Sequence, residues 1–219
     1  SLMDEVPFLP INNFKAEKRT AIDFRIKARS ETPVIRVIEA IEGQLVTNGT
    51  EAKGKVENGY LVSDTEQDIL KIAVVNRYEP SAPAAVAFVK NFGLKIGAIA
   101  STVAHDSHNI IAVGTNDDSI CAAVNRLVEC KGGIAVAADG NTVSSMPLEV
   151  AGLMSVKGGR EVAADYSQLD AAAKKLGCRL HAPFMTLSFM ALLVIPALKL
   201  SDKGLFDGAR FEFTHVEVG

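Results

Sequence analysis

A chain of 219 residues with 48% hydrophobic and 22% charged residues carries enough apolar side chain for one large core or two small ones, which excludes a disordered polymer. Its 23 basic and 26 acidic residues leave a formal charge of -3 with no Lys/Arg-rich block or aromatic-basic stripe, so no nucleic-acid partner is expected. No stretch reaches the ~18 uninterrupted apolar residues of a membrane span, and the first residues lack the order of a secretion signal; no membrane partner is expected, and the expected location is cytoplasmic.

Ser1 and Leu2, ahead of Met3, read as a cloning remnant. Residues 1–18 are taken as that remnant plus a linker, and 19–219 as one domain. RTAIDFRIKAR, from Arg19 to Arg29, alternates as a strand does, and PVIRVIEAIEGQLVTNG, from Pro33 to Gly49, holds one or two more β segments ending in the turn signal Asn48-Gly49. A second signal, Asn58-Gly59, precedes a short strand at Tyr60–Val62. This opening third reads as β-rich.

A different rhythm starts at Asp68. DILKIAVVNRY reads as a strand, the alanine-rich PSAPAAVAFVKNFG as a helix, and GAIASTVA as a strand. After the polar island HDSHN the order returns, with NIIAVGT a strand, DDSICAAVNRLVECKGG a helix and GIAVAADG a strand. Residues 68–104 and 108–140 therefore read as a pseudo-repeat with HDSHN at its joint. Thr115, Asn116 or Asp117 can cap the second helix, and Gly132-Gly133 ends it. Asp117 and Asp118 suit a helix start but would repel the anion of a phosphate loop.

NTVSSMPLEVAGLMS reads as a strand and a glycine turn. EVAADYSQLDAAAKKLGC reads as an amphipathic helix with Val162, Tyr166, Leu169, Ala173 and Leu176 on one side. PFMTLSFMALLVIPALKL reads as a buried helix bounded by Pro183 and Pro196, and FEFTHVEV as an edge or closing strand. The expected class is α+β: a mixed β-sheet with two β-α-β units in pseudo-repeat, covered by three or four helices, plus a β-rich N-terminal segment.

HDSHN places His105 and His108 three apart with Asp106 between them and Asn109 behind. In a turn between strands, two imidazoles and a carboxylate can bind a divalent metal or form a base with its orienting acid. The same residues can also simply cap backbone groups of a crowded turn. Both readings stay open on the residues alone. Cys121, Cys130 and Cys178 form no C-x-x-C pair and are odd in number, which reads as buried free thiols. His181 and His215 read as ordinary histidines and Ser188 as a packing residue without the G-x-S-x-G elbow.

Three blocks, GLKIGAIASTVAHDSHNIIAVGTNDD, PLEVAGLMS and PFMTLSFMALLVIPALKLSDKGLFD, resemble in order and spacing the C-terminal domain of bacterial and archaeal adenine deaminases, a branch of the amidohydrolase superfamily. The resemblance runs from about residue 20 to the C-terminus. It implies that the parent enzyme hydrolyses adenine to hypoxanthine and ammonia in purine salvage, using one or two divalent ions, manganese or iron, held in a (β/α) barrel. Such a barrel takes ~250 residues, and the four histidines here include no H-x-H pair of the barrel signature. The implied partners are thus adenine and an amidohydrolase barrel domain outside this chain, and a homo-oligomer is expected.

The resemblance makes His105, Asp106 and His108 catalytic candidates that assist that barrel, Ser107 and Asn109 substrate-binding candidates, and His105 and His108 metal-ligand candidates. Two other functions compete. HDSHN could form its own metal site with independent hydrolytic or redox chemistry, or the domain could be structural, with Phe184–Leu200 in an oligomer interface.

Overall fold

The computed structural model of the protein describes residues 11–218, and the cloning remnant expected at Ser1 and Leu2 lies outside them. Lys15 and Ala16 donate their amides to the Arg77 carbonyl at 2.7 and 3.1 Å, tying the chain down before the first regular element. Where a strand is expected at Arg19–Arg29, Ala21–Phe24 forms a 3-10 turn and only Ile26–Lys27 (β1) is extended. The Asp23 carboxylate accepts from the Thr20 amide at 2.7 Å, and this capping outweighs the alternating pattern.

Val34–Ala40 (β2) and Thr47–Lys53 (β3) pair antiparallel, followed by Lys55–Glu57 (β4) and Tyr60–Val62 (β5). Asn58-Gly59 makes the expected turn, with φ of 52° and 80°. Asn48-Gly49 does not: both residues lie inside β3, opposite Glu39 and Ile38. Tertiary pairing overrides the local signal, because the Thr47 amide donates to the Pro196 carbonyl and the Thr47 carbonyl accepts from Ala197.

Ile69–Val75 (β6) is followed by Ala85–Lys90 (β7), a strand where the alanine-rich stretch reads as a helix. Pro80 and Pro83 keep the approach out of helix, and Val86, Phe88 and Val89 fit between β6 and β2, with which β7 pairs antiparallel and parallel respectively. The first unit is thus a hairpin, and the pseudo-repeat of two β-α-β units does not exist. The second unit forms as expected from Ile110–Gly114, Asp117–Cys130 and Gly133–Ala138. With Ala98–Ser101 as β8, these are β9, α1 and β10. Its two strands are not neighbours, since β8 lies between them, antiparallel to both.

Asn141–Pro147 (β11), Gly159–Lys175 (α2) and Pro183–Phe189 (α3) follow. The apolar stretch to Leu200 is not one helix: α3 stops at Phe189, and Leu198–Ser201 (β12) starts a small sheet with Gly204–Asp207 (β13) and Glu212–Thr214 (β14). The main sheet has eight strands in the order β11-β10-β8-β9-β6-β7-β2-β3. It is mixed, and with the three α-helices among the described residues the class is α+β.

Every residue of β6, β8 and β9 is buried, because each strand feeds two cores. Ala73, Ala98, Ala100, Ala112, Ala135 and Ala137 form a low-relief face that lets α1 approach through Ile120, Val124 and Leu127. The alternate residues, Ile72, Val74, Ile99, Ile111, Val113 and Val136, pack against Leu169 and Ala173 of α2 and Phe184 and Leu187 of α3. No helix among the described residues is long and apolar enough to cross a membrane.

Candidate functional site

β8 and β9 pair antiparallel in the interior of the main sheet, so HDSHN is the tip of the connection between two central strands. The turn closes on itself: the His108 amide donates to the Ala104 carbonyl at 2.7 Å, and the Ala104 amide donates back to His108 Nδ1 at 3.3 Å. His108 takes a left-handed φ of 52° to do so. Asn109 points inward. It is 2% exposed, its Oδ1 accepts from the Arg77 amide at 3.1 Å and its Nδ2 donates to Ser107 Oγ at 3.2 Å.

Two elements distant in sequence brace the tip. From the end of β6, the Tyr78 hydroxyl donates to the Ser107 carbonyl at 2.9 Å and accepts from Arg77 Nη2 at 2.9 Å. Arg77 is buried, its Nη1 donates to the Ala151 carbonyl at 2.7 Å, and its Nε has no partner among the described residues. The space is so tight that a Cβ at Gly152, where φ is 68°, would meet the guanidinium. From α3, the Ser188 carbonyl accepts the His105 amide at 3.0 Å, and the Phe189 ring lies against the His105 ring. The two imidazoles meet at 5.3 Å and 66°, edge to face.

Asp106 and Ser107 are exposed and border a groove of about 450 Å³ whose other walls include Leu193, Val194, Phe206, Phe211 and Phe213. Phe211 and Phe213 each pack edge-on against Phe206 yet are 76% and 51% exposed, an unusual concentration of uncovered aromatic surface. The His108 imidazole is held below its ordinary pKa, first by burial and then by His105 and Arg77, with Asp106 opposing.

Of the candidates, His105, Asp106, Ser107 and His108 share one tip and only Asn109 turns away from it. No group of three His, Cys, Asp or Glu side chains among the described residues is arranged to hold a metal. The donor set fits poorly as well, because a metal on His108 Nε2 needs the proton on Nδ1, where the Ala104 N–H already points. These residues do not suit a resident ion. Arg77, Tyr78 and Phe189 brace the tip from outside HDSHN, and no local signal in the sequence assigns them that role. Ser188 is buried with its hydroxyl donating to the Met185 carbonyl at 2.7 Å, as a packing residue would be. The thiols are free, Cys178 buried and pushed up to about 11 by that burial.

A second, polar cavity of about 440 Å³ lies at the start of α1. Asn116 caps the helix by accepting the Ser119 amide at 2.8 Å, and buried Lys71 donates to Asp117 at 2.6 Å and to the Phe24 carbonyl at 3.1 Å. The lysine is thereby paired with the carboxylate at the first position of the helix.

Residues 44–212 match the model of the adenine deaminase C-terminal domain family. The chain is 58% identical over 185 residues to an adenine deaminase of Methanosarcina barkeri, covering 84% of this chain and 33% of that protein. It is 51% identical over 204 residues to one from Salinibacter ruber, covering 93% and 37%, and 43% identical over 214 residues to one from Borreliella burgdorferi, covering 97% and 38%. The chain spans about a third of the length of the curated relatives it matches.

Proposed function

The chain belongs to the adenine deaminase C-terminal domain family, and from that premise we propose that it is the C-terminal part of a hydrolase converting adenine and water to hypoxanthine and ammonia in purine salvage. The observation that carries this is identity of 43–59% to adenine deaminases over most of the chain. In this reading the manganese or iron belongs to a barrel domain outside this chain. The metal's contribution there is to acidify a bound water.

The chain's own contribution is HDSHN. A tip braced by Tyr78 and Phe189 can present the His105 and His108 rings with little rotamer freedom left, and carries Asp106 exposed beside them. The apolar groove beside it supports docking of the barrel at that face, so that the tip borders the substrate. Oligomerisation through Phe184–Leu200 has less support, since only Met185 and Val194 of its large apolar side chains are exposed.

A deamination assay tests this proposal. The chain alone should not turn over adenine, and a family-length enzyme carrying this domain should lose kcat/KM for adenine with His105→Ala or His108→Ala. Undiminished kcat/KM in both variants would remove HDSHN from the active site.

A further inference from the structure

We infer that His108 is a fixed hydrogen-bond donor, a neutral imidazole with its proton locked on Nε2, and that it serves an acceptor lone pair such as a ring nitrogen of the purine. The ligand part rests on the active-site reading above; the tautomer rests on this chain's geometry alone.

The Ala104 amide points its hydrogen at His108 Nδ1, at 3.3 Å. An N–H directed at a ring nitrogen requires a lone pair there, so Nδ1 carries no proton and the neutral ring carries it on Nε2. The reciprocal bond from the His108 amide to the Ala104 carbonyl, at 2.7 Å, and the left-handed backbone at His108 keep the ring from turning away. A second proton on Nδ1 would set N–H against N–H. Burial, the neighbouring imidazole of His105 and the guanidinium of Arg77 all disfavour the cation as well.

This arrangement removes two roles and leaves one. A general base needs a lone pair on the reachable nitrogen, and Nε2 has none. A metal ligand on Nε2 would push the proton to Nδ1, against the Ala104 amide. What remains is donation through Nε2–H from a half-buried ring, at a site where the donor stays neutral and polarises its acceptor without surrendering the proton. Purine ring nitrogens without hydrogen are acceptors of this kind. A carbonyl or carboxylate of the preceding domain has the same chemistry, and the experiment separates the two.

Nitrogen-15 NMR of histidine-labelled chain at neutral pH should show a pyridine-like Nδ1 and a pyrrole-like Nε2 for His108, both unmoved by added zinc. The opposite pattern, or a zinc-dependent shift, overturns the tautomer. In the family-length enzyme, His108→Gln places an amide donor where Nε2 was, whereas His108→Ala removes it. For one lost hydrogen bond, KM for adenine should rise about tenfold in the alanine variant and stay within about threefold in the glutamine variant, with kcat moving less than KM. Glutamine as impaired as alanine overturns the donor role. An unchanged KM with a melting temperature of the family-length enzyme that alanine lowers and glutamine restores supports the donor role with the acceptor on the preceding domain. Wild-type turnover and melting temperature in both variants, with the NMR pattern intact, overturns the ligand part together with the active-site reading and leaves the tautomer standing.

Discussion

Phe189 lies nearly face to face with His105, the ring centroids 5.4 Å apart and the planes 18° from parallel. One residue earlier, the Ser188 carbonyl holds the His105 amide, so the end of α3 fixes both the backbone and the ring of the first residue of HDSHN. Phe189→Leu keeps an apolar side chain and removes the aromatic face. Its expected cost is about 1 kcal/mol by chemical denaturation, and the His105 ring protons should lose their ring-current shift in the NMR spectrum. Unshifted His105 resonances would show that the stack does not form in solution.

Tyr78 is the second brace. Tyr78→Phe deletes a hydroxyl that joins Arg77 to the Ser107 carbonyl, and a partly exposed hydrogen bond of this kind contributes about 1 kcal/mol. Hydrogen exchange should show the His108 amide losing protection while the amides of β6 keep theirs. Equal protection in variant and wild type would mean that the turn closes without the tyrosine.

The Lys71–Asp117 pair predicts an asymmetry. Lys71 is 1% exposed and Asp117 is 20% exposed, and burial holds the lysine below its ordinary pKa against the pull of the aspartate. Asp117→Ala strands a buried cation and should cost about 3–5 kcal/mol. Lys71→Met leaves a carboxylate that water reaches and should cost distinctly less, about 1–2 kcal/mol. Equal costs in urea unfolding would contradict the burial difference.

Lys199 predicts a pH dependence. It is fully buried, donates to the Leu45 and Phe189 carbonyls at 2.6 and 3.0 Å, and is pushed by burial from 10.5 to about 8. Unfolding would let it take up a proton anywhere between those values, so the unfolded state binds more protons there and stability rises with pH across that window. Relative to Lys199→Met, the wild type should gain up to a few kcal/mol from pH 8 to pH 10. A constant difference between the two melting curves would show that the lysine titrates normally.

The parts legible from sequence are those in which one short segment settles its own conformation. Asn116 ahead of two aspartates, and glycines after Lys131, mark α1 because capping is a bond between near neighbours. Val162 to Leu176 marks α2 for a similar reason, since a helix shows its apolar side every three or four residues. Ala85–Lys90 was misread because alanines and valines fit either period. The choice between helix and strand was made by β2 and β6, which flank it with unpaired backbone groups. Asn48-Gly49 was misread because Pro196 and Ala197, far along the chain, extend β3 at Thr47.

HDSHN shows the same division. By itself the sequence determined that a polar island with two imidazoles and a carboxylate interrupts two buried strands, and its flanking blocks determined the family. Only the tertiary structure decided that Asn109 turns inward to Arg77, that Phe189 and Tyr78 clamp the tip, and that the Ala104 amide chooses the proton-bearing nitrogen of His108. The physical reason is one of distance along the chain. Composition and spacing encode bonds within a turn, whereas the direction of a side chain and the charge on it depend on residues brought beside it by the packing of the sheet.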